Sequence, residues 1–176
     1  MSRPQLEAVA ALLAALGAGC GNPPPLPLVA GGPVDFTVGT LSVHFSSGAA
    51  AVVGGVLTLY LVDLPSACTV IGNSRTGNPP VGTLTTLTLR VTAASDGTTV
   101  ATVVAPTPVP GPGKAAGGLS RTLSGQQTNA LDLTDGTVSW TADSAGNVTI
   151  NSLDLGFAAS VGRITTHDLF LQQCSL

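Results

Sequence analysis

Apolar and polar positions alternate with a period of two along most of this chain, which is the spacing of strands rather than helices. Val34, Phe36 and Val38 alternate, and Leu41, Val43 and Phe45 follow in the opposite phase. The step at Gly39-Thr40 therefore predicts a bulge or a tight turn. Small residues from Gly48 to Gly55 lead into the most apolar run beyond the N-terminus, Val56–Cys68. There Leu57, Leu59 and Leu61 fall on one side, with Val56, Thr58, Tyr60 and Val62 on the other. Neither side is plainly polar, which predicts a central strand covered on both faces. Pro65 has no N–H to give a ladder, so pairing should stop near it.

Beyond Cys68, Gly72–Pro80 reads as an exposed loop. Thr85, Leu87, Leu89, Val91 and Ala93 then face one way, with Thr86, Thr88, Arg90 and Thr92 opposite. This is the cleanest alternation in the chain, and it predicts a strand with one wet face. Asp96-Gly97 is a two-residue turn signal, with Val100–Val104 as the returning arm of a hairpin. Pro106–Gly118 has the Pro and Gly content of a long surface loop. Leu119–Leu133 carries little pattern until a strand start at Ala130–Leu133. Gly136–Ala142, Asn147–Ala158 and Arg163–Leu171 are the last strand candidates, turned by Asp143–Gly146 and Ala159–Gly162. Val148 and Ile150 change phase to Leu153, Leu155 and Phe157, which predicts a bulge near Asn151-Ser152. The expected fold is all-β: an antiparallel Ig-like or jelly-roll-like β-sandwich of about 7–9 strands, or a partly open barrel, preceded by an N-terminal signal helix.

Composition narrows the picture further. Charged residues make up 9 % of the chain, against about 25 % in ordinary domains, and there is no glutamate after Glu7. Thr and Val without Glu and Lys favour strands and disfavour long surface helices. The net charge of −3 and the scattered Arg and Lys residues give no basic face, so nucleic acid is excluded as a partner.

Met1-Ser2-Arg3 is a short positive start, and Ala8–Ala18 is an uncharged apolar segment. Small residues follow, then Cys20. This order is that of an export signal, and the segment is too short to cross a hydrocarbon core of about 30 Å as a helix. Leu16-Gly17-Ala18-Gly19-Cys20 resembles a bacterial lipobox. The resemblance implies cleavage before Cys20, a lipid on its sulfur and a membrane partner held through that lipid. Gly17 stands where a lipobox usually carries leucine, so ordinary signal cleavage and a mis-set start remain open. The division is a signal peptide over 1–19, a Pro/Gly-rich tether over 20–33 and a β-domain over 34–176.

With Cys20 lipidated, Cys68 and Cys174 remain, and an oxidising compartment would join them; two separate buried thiols are the alternative. The chain resembles a family of uncharacterised bacterial lipoproteins from high-GC Gram-negative genomes. The resemblance lies in Leu61–Cys68, Asp135-Gly136-Thr137-Val138 and the closing Leu169, Phe170, Leu171 and Cys174. It implies a lipid anchor and a β-domain, and it carries no catalytic residues.

Chemistry-bearing residues are few. His44 and His167, the two histidines, would need to converge with a carboxylate to hold a metal; polar strand positions are the simpler reading. Asp132, Asp135, Asp143 and Asn147 cluster around turns and offer oxygens for calcium, although turn formation explains them equally. Trp140 is in phase with Val138 and reads as core. Gly111-Pro112-Gly113-Lys114 lacks the Ser or Thr of a phosphate loop. No nucleophile elbow appears, and no cofactor or metal is expected. The leading expectation is an envelope protein acting as a non-catalytic binding or structural module for a protein or glycan partner. A small envelope enzyme or enzyme inhibitor, and a calcium-dependent adhesion module, are the alternatives. If it binds through loops, the residues to consider are Asn73, Arg75, Asn78 and Lys114.

Overall fold

The structure, a computed structural model, describes residues 34–38, 41–53, 56–157 and 162–175. The signal segment, the tether, Cys20, the Gly39-Thr40 step and most of the Ala159–Gly162 turn lie outside the described residues. Among the described residues the fold is all-β, with one short helix. A hairpin of β1 (Val34–Val38) and β2 (Leu41–Phe45) precedes β3 (Ser47–Val53) and β4 (Val56–Val62). Helix α1 (Ala67–Arg75) follows. Then come β5 (Thr83–Thr92), β6 (Val100–Val103), β7 (Lys114–Leu123), β8 (Gln126–Ala142), β9 (Val148–Phe157) and β10 (Arg163–Gln173).

The expected sandwich, or partly open barrel, is instead a closed, mixed barrel with strand order β10-β3-β4-β5-β7-β6-β8-β9. Closure rests on a short parallel ladder, Gln172↔Ala49 and Gln173↔Ala50. Gly48–Val53, from a stretch that carries no strand signal of its own, lies in β3 because its alanines allow close approach. Ala49, Ala50 and Ala51 are all buried. A barrel closed in this way leaves no edge to shield, whereas a sandwich leaves four.

β8 makes the closure possible by changing partners along its length. Its first half pairs with β7, from Gln126 to Asp132, and its second half pairs with β6 over Thr137–Ser139. At the changeover Thr134 is an extra residue relative to β9, and Gly136 has φ +131°. β6 thus wedges between β7 and β8, parallel to one and antiparallel to the other. The expected β5–β6 hairpin is corrected here. The Asp96-Gly97 turn forms, closed by Gly97 N–H donating to Ala94 O at 2.9 Å, but β7 occupies the place beside β5. The bulge expected near Asn151-Ser152 is present: Ser139 pairs Ser152 and Trp140 pairs Ile150, leaving Asn151 over.

The barrel interior is filled. Leu59, Leu61, Leu87, Leu89, Ile150 and Leu155 point inward with Trp140, and Val43 and Phe45 of the hairpin join them. Outward positions on β8 to β10 are Asp132, Thr137, Asn151, Thr165, His167 and Gln172, all exposed. A wall that faces hydrocarbon carries the reverse pattern. β4 is covered on both faces, as its sequence implies, because α1 packs outside the barrel. Ala67 and Ile71 of the helix bury against Ala49, Val62 and Leu84.

Candidate functional site

The helix was not legible in its own residues. Gly72, Asn73 and Ser74 are poor helix formers, and no side chain caps the N-terminus at Ser66, whose φ is +62°. Tertiary contact holds it instead: Ala67 and Ile71, four apart, share one buried face. Cys68 is joined to Cys174 with Cα atoms 5.4 Å apart. Part of the expected Gly72–Pro80 loop is therefore the last turn of α1, and Asn73 and Arg75 stand on a helix. Asn78 follows, its N–H donating to Asn73 O at 2.9 Å.

A groove of about 480 Å³ runs between α1 and the outer face of β4, β5 and β7, with Tyr60, Ile71, Arg75, Pro79, Thr88 and Ser120 on its walls. Its end is shut by the loop after α1. Ser124 N–H donates to Gly82 O at 2.8 Å, and Pro79 sits so near Gly125 that a Cβ there would lie 2.5 Å from its Cγ. A second hollow of about 380 Å³ adjoins it across Thr88 and Ser120. This one contains Arg90, Gln127 and Asp132. Together they form one trough along the outer wall.

Strand register builds the floor of this trough. Tyr60 pairs Thr88, Thr88 pairs Gly118 and Gly118 pairs Asp132, so the four residues form one outward row across β4, β5, β7 and β8. Val62, Thr86, Ser120 and Ala130 form the next row. Gly118 keeps the floor low: a Cβ there would come within 2.7 Å of Leu131 O. The Nε of Arg90 is buried with no hydrogen-bond partner. Among the described residues Arg90 and Asp132 each form no ion pair, with one another or with any other group.

The other candidates fall elsewhere. Lys114 begins β7 rather than lying in a loop, and its Nζ donates to Thr102 Oγ1 at 3.0 Å. It lines neither hollow, though only four positions, roughly 13 Å along a strand, separate it from Gly118 in the second. The structure brings Arg75 into the trough and bonds Lys114 to β6 at its margin. His44 pairs with Asp35 on the hairpin at 2.6 Å, and His167 with Asp168 on β10 at 2.8 Å. His167 lies in register with Ser152, whose hydroxyl is 2.8 Å from that of Ser139. The serine is thus bonded to another serine and not to the imidazole. The His167 and Asp168 side chains are 75 % and 61 % exposed on an open wall, so the geometry of a nucleophile with its base is not assembled.

Of the oxygen cluster, Asp135, Asp143 and Asn147 are consumed by structure, and Asp132 is not. Asp143 Oδ1 accepts from the backbone N–H groups of Ala145 and Asn147, and Oδ2 from Asn147 Nδ2, each at 2.9 Å. These bonds, that from Asn147 foremost, hold its carboxyl below the ordinary aspartate range. Asp135 is bonded by Arg163, which lowers its pKa in the same direction, and Arg163 also bridges to Asp154 at 2.9 Å. Among the described residues no three His, Cys, Asp or Glu side chains are placed to hold a metal ion.

Sequence reasoning passed over Tyr60, Thr88, Ser120 and Arg90 as functional. One signal was available: Arg90 is the single charge on an otherwise threonine face, Thr86, Thr88 and Thr92. Fold and site define a class: a disulfide-closed, core-filled barrel whose concave surface is on its outside. No family model, curated protein or solved structure matches the chain.

Proposed function

We propose that this chain is an exported, lipid-anchored protein of the bacterial cell envelope, of the lipoprotein type its sequence resembles, acting as a non-catalytic binding module. The observation that carries the reading is the Cys68–Cys174 bond. Such bonds persist in oxidising compartments, and this one leaves Cys20 as the odd sulfur, at the place where the lipobox-like stretch would put a lipid. The filled interior supports a role on the outer surface, since no channel or internal ligand cavity is compatible with it. The trough beside α1 supplies a built concavity for a partner, and the Pro/Gly-rich 20–33 stretch would hold it off the membrane.

The test is metabolic labelling with palmitate in a bacterial host. Label is expected in the wild type and absent in Cys20→Ala; equal labelling of the two, or none in either, removes the anchor. Thiol titration of the denatured, unreduced protein should find Cys68 and Cys174 unreactive. Two reactive thiols there would remove the compartment.

A further inference from the structure

The trough on the outer wall has two halves of different chemistry. Around Tyr60, Ile71, Pro79 and Leu84 it is apolar, while around Thr88, Ser120, Arg90 and Asp132 it offers hydroxyls, a guanidinium and a carboxylate. We propose that it binds an acidic oligosaccharide, with a sugar carboxylate on Arg90 and ring hydroxyls on Asp132, Thr88 and Ser120. The proposal rests on the binding-module reading above and names its ligand.

Four observations lead there. Arg90 lines the polar hollow and forms no ion pair among the described residues, although a guanidinium presents paired donors matched to a carboxylate. Asp132, exposed and likewise unpaired, is acceptor-only when ionised, which suits the hydroxyls of a sugar. Between their strands lies β7, where Gly118 has no side chain to fill the gap. Two strand spacings, roughly 9.5 Å, leave room there for one sugar ring. Thr88 and Ser120 line both hollows, so a chain of rings could pass from this polar half to Tyr60, whose ring offers an apolar face to sugar C–H groups.

A peptide fits less well. A peptide could not dock here by adding a strand to a sheet edge, because β5 and β7 are paired on both sides. Its backbone N–H and C=O groups would meet side chains alone. Sugar hydroxyls both donate and accept, as do the threonine and serine hydroxyls beneath them.

Titration calorimetry with tetragalacturonate, neutral maltotetraose and a hexapeptide bearing a free carboxylate tests the assignment. Saturable binding of tetragalacturonate is expected, tighter than that of either other probe. Loss of a charged hydrogen bond should weaken it at least about tenfold in Arg90→Gln and in Asp132→Asn. His167→Ala, on another wall, should bind as the wild type does. Asp132 is exposed, so Asp132→Asn keeps the test decisive even if Arg90→Gln unfolds. Absence of saturable tetragalacturonate binding, equal affinity in Asp132→Asn, or tighter binding of the peptide or maltotetraose would overturn the proposal. None of these results alters palmitate labelling, so failure of the ligand and failure of the anchor are read separately.

Discussion

The backbone N–H of Cys174 donates to the carbonyl of Ala50 at 2.8 Å, one residue beyond the parallel rungs that close the barrel. The sulfur of the same residue is bonded to Cys68 at the start of α1. The barrel seam is thus short in hydrogen bonds and covalently tied from outside.

Opening that tie should loosen the seam before the rest of the barrel. The bridge spans 106 positions, and in the chain-entropy model a ring of that size stabilises by about 4.7 kcal/mol. Urea denaturation of the oxidised protein and of Cys68→Ser with Cys174→Ser should differ by about 3–5 kcal/mol. Amide exchange at Gln173 and Cys174 should quicken most in the variant, and a uniform rise across β3 to β10 would contradict the seam's special weakness.

Gly136 is required by the partner change in β8. Its φ of +131° is disfavoured for any side chain, and a Cβ would lie 2.1 Å from Asp154 O. Gly136→Ala should destabilise by roughly 1–3 kcal/mol through strain and overpacking, read as a lower urea midpoint. A neutral substitution would mean that β8 bends elsewhere.

Trp140, the one tryptophan of the chain, is 4 % exposed in the barrel core. Its emission should be blue-shifted, resist acrylamide and move red on unfolding. Trp140→Phe should be tolerated better than Trp140→Ala, which should cost about 3–5 kcal/mol.

Acid should weaken the outer wall of β8–β10. The Arg163 guanidinium holds the Asp135 carboxyl below its ordinary value, and the Asn147 bonds do the same to Asp143. A carboxyl whose folded pKa is depressed stabilises above its unfolded value and loses that contribution as pH falls through the folded one. The melting temperature should therefore be flat above about pH 4 and fall below it. Asp135→Asn should shrink that fall, and an identical profile in the variant would exclude the pair. Both partners are exposed, so the effect should also diminish with salt.

Period-two alternation was enough to place β1, β2, β5, β9 and β10, because a buried face forces that spacing whatever lies opposite; β4 was placed by its unbroken apolar run. The bulge at Asn151 was legible for the same reason, as a break in phase between Ile150 and Leu153. The trough was legible only in fragments. Arg75 stood out among loop-like residues while Arg90 was passed over, and the register that sets Tyr60, Thr88, Gly118 and Asp132 in one row is a property of three pairings together.

The chain by itself determined that it would be β-rich, with a doubly covered β4 and a core Trp140, since each follows from where apolar atoms can leave water. Tertiary structure alone decided the closed barrel, helix α1 and the wedge of β6 between β7 and β8. These depend on contacts between distant segments: Ala49 and Ala50 meeting Gln172 and Gln173, and Ile71 meeting Leu84. Local preference in those segments is weak, so burial against a remote partner outweighs it.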